Sequence, residues 1–363
     1  MSEPTESTVQ VTGELTEFPG FLKLPGEVQS LVVAGRSIEE IFRLTISSHV
    51  GCQIIRNAKL KACHVEIDQE NHEIRVQIMN RKWIIWRFRK SSRVLTTMSL
   101  RDMMLAARET GGEWCTLCTD PRTAMREAFD HMKHLFGIHE IRKARLRITD
   151  ARQYYHGFKI LERIRRLRYL DLHTELPIEE EKLKAVLDLG PFVFLKISYP
   201  EHIAFQYSKP LPYATRLSIN NSVTNWFSKQ HFRNLQCSYL CWTDNSSSAG
   251  IIMNTIFRRW KAGGFPEMRI IECEELARVP DIGEVVGGLG AEKVGERRVQ
   301  IFNRALPFIA KQLITFKTQQ LDISGAVDFT RTTDGTIATV IPLRGCRNYC
   351  RFLFFVWGSW VKW

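Results

Sequence analysis

The chain has 363 residues, 44% of them hydrophobic and 25% charged, which is enough apolar material for a large core and excludes a wholly disordered chain. Its nine cysteines (52, 63, 115, 118, 237, 241, 273, 346 and 350) are odd in number and too dispersed for a disulfide scaffold, so reduced thiols are expected. The net charge of +12 is unevenly placed: residues 81–93 hold six basic residues and no acid, and residues 141–170 hold ten against Asp150 and Glu162, so a nucleic-acid partner has to be weighed.

Residues 1–17 are polar and acidic and predict a disordered tail, without the basic and apolar regions of a signal peptide. No apolar run approaches the roughly 18 residues of a membrane span, so the expectation is a cytoplasmic or nuclear protein. Residues 18–60 form an apolar block with three helices. In the first, Leu24, Val28, Leu31 and Val32 recur at helical spacing, with Pro25 in the first turn and Gly35 as a stop. Ser37 stands three residues before Glu40, a capping box that opens the second helix and sets Ile38, Ile41, Phe42 and Thr45 on one face. Val50, Ile54 and Ile55 predict a third, over about 49–57. Helices this short bury little surface alone, so the block is expected to dock on something.

From residue 61 to 363 the patterns are those of an α/β domain. Residues 62–89 predict two or three strands (ACHVEI, EIRVQIMN, KWIIWRFR), with turns near Asn71 and Asn80, whereas 100–119 show no clear period. Asp120 caps a helix with Pro121 at its first position, and Ala124, Phe129, Met132, Leu135 and Phe136 form its apolar stripe. An alternating apolar doublet then recurs at Leu146/Ile148, Leu170/Leu172, Leu195/Ile197, Leu217/Ile219 and Leu240/Trp242, at spacings of 24, 25, 22 and 23 residues. Helix-like segments lie between the doublets, and a sixth unit enters PEMRIIECEEL. One short strand and one helix in 20–29 residues mark leucine-rich-repeat-like stacking, in which a curved array presents a binding surface. A glycine-rich surface loop is expected over 280–300, then a hairpin around Asp334-Gly335 and a closing strand, RFLFFVW.

No frame for catalysis accompanies these elements, and neither a cofactor nor a metal is expected. VGGLGAEKVG lacks the order of a phosphate loop. Cys115-x-x-Cys118 lies ahead of the best helix start, whereas a redox pair needs its first thiol at a helix N-terminus. His131 and His134 lie one helical turn apart with no carboxylate at metal-site spacing, which suggests a solvated face. An enzyme whose site assembles from distant residues, Cys115 and Cys118 among them, stays a separate alternative.

Phe18-Pro19, Leu22, Leu24-Pro25, Val28, Ile41-Phe42-x-Leu44 and Ser47-Ser48 resemble the F-box of a large nematode family that pairs this box with its own F-box-associated domain of type 2. Gly26, Val33-Ala34-Gly35 and His49 depart from its pattern. Ile219-x-x-Ser222, Trp226, Tyr239-Leu240, Asn254-x-x-Phe257-x-x-Trp260-x-x-Gly263-Gly264, Arg331-x-x-Asp334-Gly335-x-x-Ala338-Thr339-Val340 and Phe355-x-Trp357 resemble the associated domain. The resemblance implies an α+β protein with a three-helix F-box ahead of the repeat-like domain. It implies a non-enzymatic substrate-recognition subunit of a Skp-cullin-F-box ubiquitin ligase, marking targets for ubiquitin-dependent degradation. The adaptor face would comprise Pro19, Leu22, Leu24, Pro25, Val28, Leu31, Ile38, Ile41, Phe42 and Leu44, with the target-binding residues unassigned. A scaffold or nucleic-acid-binding protein with a decayed box, using its basic surface, is the alternative.

Overall fold

The computed structural model describes residues 23–47, 49–78, 83–91, 107–110, 113–199, 207–220, 229–243, 249–276, 281–296, 325–344 and 350–358. The acidic segment 1–17 lies outside the described residues, as do Pro19, Leu22, Asn80, Ser222 and Trp226. The chain divides into two compact units, Met1–Lys143 with Lys159–Arg165, and Ala144–Phe158 with Arg166–Trp363. The helical block expected over 18–60 thus shares the first unit with the strands that follow it.

In the first unit, three helices precede a mixed sheet. They are α1 (Gly26–Gly35), α2 (Ile38–Ser47) and α3 (His49–Asn57). The Ser37–Glu40 capping box forms in both directions: Glu40 N donates to Ser37 Oγ at 3.1 Å and Ser37 N donates to Glu40 Oε2 at 2.8 Å. Gly51 lets α3 approach α2, since a Cβ there would lie 2.0 Å from the Leu44 carbonyl oxygen. The strands are β1 (Ala62–Asp68), β2 (Glu73–Ile78), β3 (Trp83–Lys90), β4 (Ala107–Thr110) and β5 (Glu113–Cys118), in the order β1-β2-β3-β5-β4 and antiparallel except for β3 with β5. Alternation sends Val65, Ile67, Ile74, Val76, Ile84, Trp86, Phe88 and Trp114 into the core. Helix α4 (Pro121–Phe136) packs there too, capped by Asp120, whose carboxylate accepts from Arg122 N, and ended by Gly137 at φ 59°. All five residues of its expected stripe are buried.

The union of helices and sheet has an identifiable cause. Phe42 meets Trp86 edge-on at 5.0 Å between ring centroids and Trp114 at 4.9 Å, and all three rings are buried. Trp86 donates its indole N–H to the buried Thr116 hydroxyl at 2.9 Å, so the polar atom in the cluster is satisfied. The short helices therefore have a docking surface within their own unit.

β6 (Glu140–Ile148) leads into the second unit, followed by α5 (Ala151–Leu161), β7 (Arg166–Thr174), α6 (Glu180–Leu187), β8 (Phe192–Ser198), β9 (Ala214–Asn220), α7 (Lys229–Arg233), β10 (Cys237–Thr243), α8 (Ala249–Lys261) and β11 (Ile270–Leu276). β7 to β11 are parallel neighbours in chain order. Their ladders put the doublets in register: Leu170, Leu195, Leu217, Leu240 and Ile271 form one row, and Leu172, Ile197, Ile219, Trp242 and Cys273 the next. These residues are buried, and each large aliphatic one contributes about 1.5–3 kcal/mol by leaving water. Phe232 of α7 meets Trp242 at 5.2 Å and Phe257 of α8 stacks on Phe354 at 4.7 Å, so both helices cover the doublet side.

α9 (Ile282–Val286), β12 (Glu292–Lys293), β13 (Val327–Thr330), β14 (Ile337–Arg344) and β15 (Cys350–Val356) complete the unit. β15 runs antiparallel between β11 and β14, and β13 and β12 follow in sheet order. The Asp334-Gly335 turn joins β13 to β14 as its sequence predicts, with Gly335 at φ 71°. The described part of 280–300 departs from the expected surface loop. Asn254 Nδ2 donates to the carbonyls of Val285 (2.9 Å) and Gly287 (3.1 Å), Arg258 donates to Gly287 O, and Lys261 donates to Leu289 O, which pins the segment on α8.

Candidate interaction surfaces

Helix α1 has two unlike sides. Gln29 and Val33 are buried, and Gln29 Nε2 donates to Leu24 O at 2.9 Å, closing the first turn. The residues at i, i+4, i+7 and i+8 from Leu24 make a second, apolar side. Leu24 is half-buried and Pro25 exposed, while Val28 is 39%, Leu31 74% and Val32 38% exposed. Val50 of α3, which packs beside α1, is 48% exposed.

Of the ten residues assigned to an adaptor face from sequence, the structure brings Leu24, Pro25, Val28 and Leu31 together on this stripe. Ile41 and Phe42 are both fully buried (0% exposed) and are not available to a partner in this conformation. Leu44 is half-buried in α2, the Ile38 backbone opens α2, and Pro19 and Leu22 lie outside the described residues. Val32 and Val50 extend the exposed apolar surface; apolarity alone does not separate an exposed position from a core one in helices this short.

In the second unit the side opposite the doublets is partly open on β7 and β8, whereas Ser218, Tyr239, Cys241 and Glu272 on that side of β9 to β11 are buried. Opposite the doublets, Tyr169, Asp171, His173, Phe194, Lys196 and Arg216 are half-exposed, and Asp171 lies 3.7 Å from Arg145 and 3.9 Å from Lys196. The motif residues near the end of the unit build structure. Trp260 meets Phe329 at 5.6 Å and Phe354 at 5.3 Å, and Arg331 lies over its indole at 5.1 Å while bonding the Asp334 carboxylate. Those bonds hold the Asp334 carboxyl well below its ordinary range.

The basic stretches are knit into ion pairs at several points: Arg87 with Glu73 and Glu113, Arg145 with Asp171, Lys159 with Glu162, and Arg163 with Asp130. The cysteine alternative has unfavourable geometry. Cys115 and Cys118 are three residues apart on strand β5, so alternation aims them at opposite faces. Burial, then Asp120 and Cys115, push the Cys118 thiol up to about 12. His131 departs from the solvated face expected of it: it is partly buried, its Nε2 lies 3.9 Å from Cys52 Sγ, and it bonds the backbone of Thr45, with its pKa lowered chiefly by burial. Cys52 Sγ donates to the same Thr45 carbonyl at 3.0 Å, and burial raises its pKa. Among the described residues no group of three or more His, Cys, Asp or Glu is placed to hold a metal, and no helix is long and apolar enough to cross a membrane.

No family model matches this chain, and no curated protein and no solved structure matches it significantly.

Proposed function

We propose that this protein is the substrate-recognition subunit of a Skp-cullin-F-box ubiquitin ligase, working in the cytoplasm or nucleus. In this reading the three N-terminal helices are the F-box and the parallel doublet array is a leucine-rich-repeat-like target domain. The observation that carries it is the α1 stripe: Val28 and Leu31 are apolar, at helical spacing from Leu24, and exposed on a helix whose other side is packed. A stripe of this kind costs solubility unless a partner covers it. Leu24, Pro25, Val28 and Leu31 dock the Skp-type adaptor, with Val32 and Val50 beside them. The second unit holds a target, and the ligase acts by raising the effective concentration of target lysines near its recruited E2. No residue of this chain performs bond chemistry in that scheme.

The test is co-purification with a Skp-type adaptor. Wild type recovers it stoichiometrically and Leu24→Ala/Pro25→Ala loses it. A folded wild type that recovers no adaptor overturns the reading and leaves a scaffold or nucleic-acid-binding role. Retention on RNA that falls steeply across a salt series then supports the nucleic-acid role.

A further inference from the structure

Within the second unit, two adjoining depressions share Arg233, Arg259 and Phe265. They run between the end of α7, with Asn234–Gln236 after it, and α8 with the turn that follows. The walls are apolar, from Phe232, Ile256, Leu235 and Pro266, and the lining contains three arginines and no acidic residue. Arg258 is committed, donating to Asn254 Oδ1 at 2.6 Å and to Gly287 O at 2.7 Å. Arg233 and Arg259 are exposed, and among the described residues neither has a carboxylate partner.

A solvated helix face also carries lone arginines, but Arg259 is held in place. Its guanidinium lies 5.3 Å from the centroid of the buried Phe265 ring. The turn beneath it closes on its stem: a Cβ at Gly264 would stand 2.6 Å from Arg259 Cγ, and Gly263 (φ 92°) and Phe265 (φ 53°) take left-handed backbone to fit there. Gly263 N and Gly264 N donate to the carbonyls of Trp260 and Arg259, which fixes the turn on the helix end. A guanidinium fixed in advance loses little freedom when it grips a carboxylate.

We propose that this groove is a docking site for an acidic, extended peptide segment of a partner protein. Arg233 and Arg259 take its carboxylates, and its apolar side chains seat against Phe265 and Pro266. The charge of the lining selects an anionic ligand, and the apolar walls between two arginines suit alternating acidic and apolar side chains better than a continuous phosphate backbone. The inference stands without adaptor docking, since it uses only residues of the second unit.

The test uses the full chain and fluorescence anisotropy with a fluorescein-labelled peptide of alternating Leu and Glu. The same peptide with Gln for Glu and a single-stranded RNA of similar length are compared with it. The acidic peptide binds best, and Arg233→Glu/Arg259→Glu weakens it at least about ten-fold. Arg56→Glu/Arg152→Glu makes the same charge change outside the groove and leaves binding unaltered. Arg233→Gln/Arg259→Gln, checked for wild-type circular dichroism, weakens it in the same direction. Equal loss in both charge-reversed variants, equal binding of the Gln peptide, preference for RNA, or no binding of the acidic peptide each overturns the proposal.

Discussion

Phe42, seated between Trp86 and Trp114, distinguishes a residue that builds the first unit from one, such as Leu31, that its packing leaves exposed. Truncating an aromatic ring so buried costs about 3–5 kcal/mol. Phe42→Ala is therefore expected to lower the urea midpoint sharply, whereas Leu31→Glu, at a site 74% exposed, stays within about 0.5 kcal/mol of wild type. Equal stability of Phe42→Ala and wild type would contradict the buried placement. Both residues are apolar members of a helical stripe, so sequence alone assigns them one role; their roles diverge because Trp86 and Trp114, distant in the chain, take up Phe42. His131 supplies a pH-dependent counterpart. Burial lowers its pKa from the usual 6.5, so its neutral form is favoured in the folded state. The stability it contributes is complete above pH 6.5 and is lost as pH falls through its lowered folded value. His72 and His231, also lowered by burial, act in the same sense, so the comparison is made variant against wild type at each pH. The expected result is that His131→Gln loses less stability than wild type between pH 7 and pH 5, as roughly bracketed by the ordinary histidine range; parallel pH profiles would rule this out.

At the scale of elements, the parallel strands were the most legible part of the molecule. Their doublets combine period-two alternation with steady spacing, and stacking in register is the arrangement that buries all of them on one side. The capping box and the Asp334-Gly335 hairpin were equally readable because each is set by local chemistry. Strands β4 and β5 were not. In β5 the inward positions are Trp114, Thr116 and Cys118, and a threonine buried to satisfy an indole N–H breaks the apolar alternation. The segment around α9 was hidden for a related reason, since it is anchored through its own carbonyls by Asn254 and Lys261. Strand alternation also bears on the placement of the cysteines. Among the described cysteines, native alkylation is expected to reach the exposed Cys63 first and Cys118, Cys237, Cys241 and Cys273, all buried, last. Mild oxidation should yield no Cys115–Cys118 disulfide, because the two side chains leave β5 on opposite faces; recovery of that disulfide from folded protein would contradict the strand assignment.

For the whole molecule, two open surfaces among the described residues carry the functional reading: the α1 stripe in the first unit and the arginine-lined groove in the second. The pattern changes from helix to strand near residue 60, and the first unit includes both sides of that change, because Phe42 joins the helices to the strands that follow. The candidate adaptor face was half legible. Helical spacing picked out Leu24, Val28 and Leu31, but which stripe faces outward depends on tertiary contacts that spacing does not encode. Of the ion pairs, only local ones such as Lys159–Glu162 follow from sequence spacing, whereas Arg87–Glu113 needs the β3–β5 pairing. The central claim is that the α1 stripe docks an adaptor, and calorimetric titration of a purified Skp-type adaptor into the full chain tests it most directly. The account predicts saturable binding by wild type and a loss of at least about 2 kcal/mol, near thirty-fold, for Leu31→Glu at unchanged folding stability. No heat of binding from folded wild type, or undiminished binding by Leu31→Glu, would contradict it.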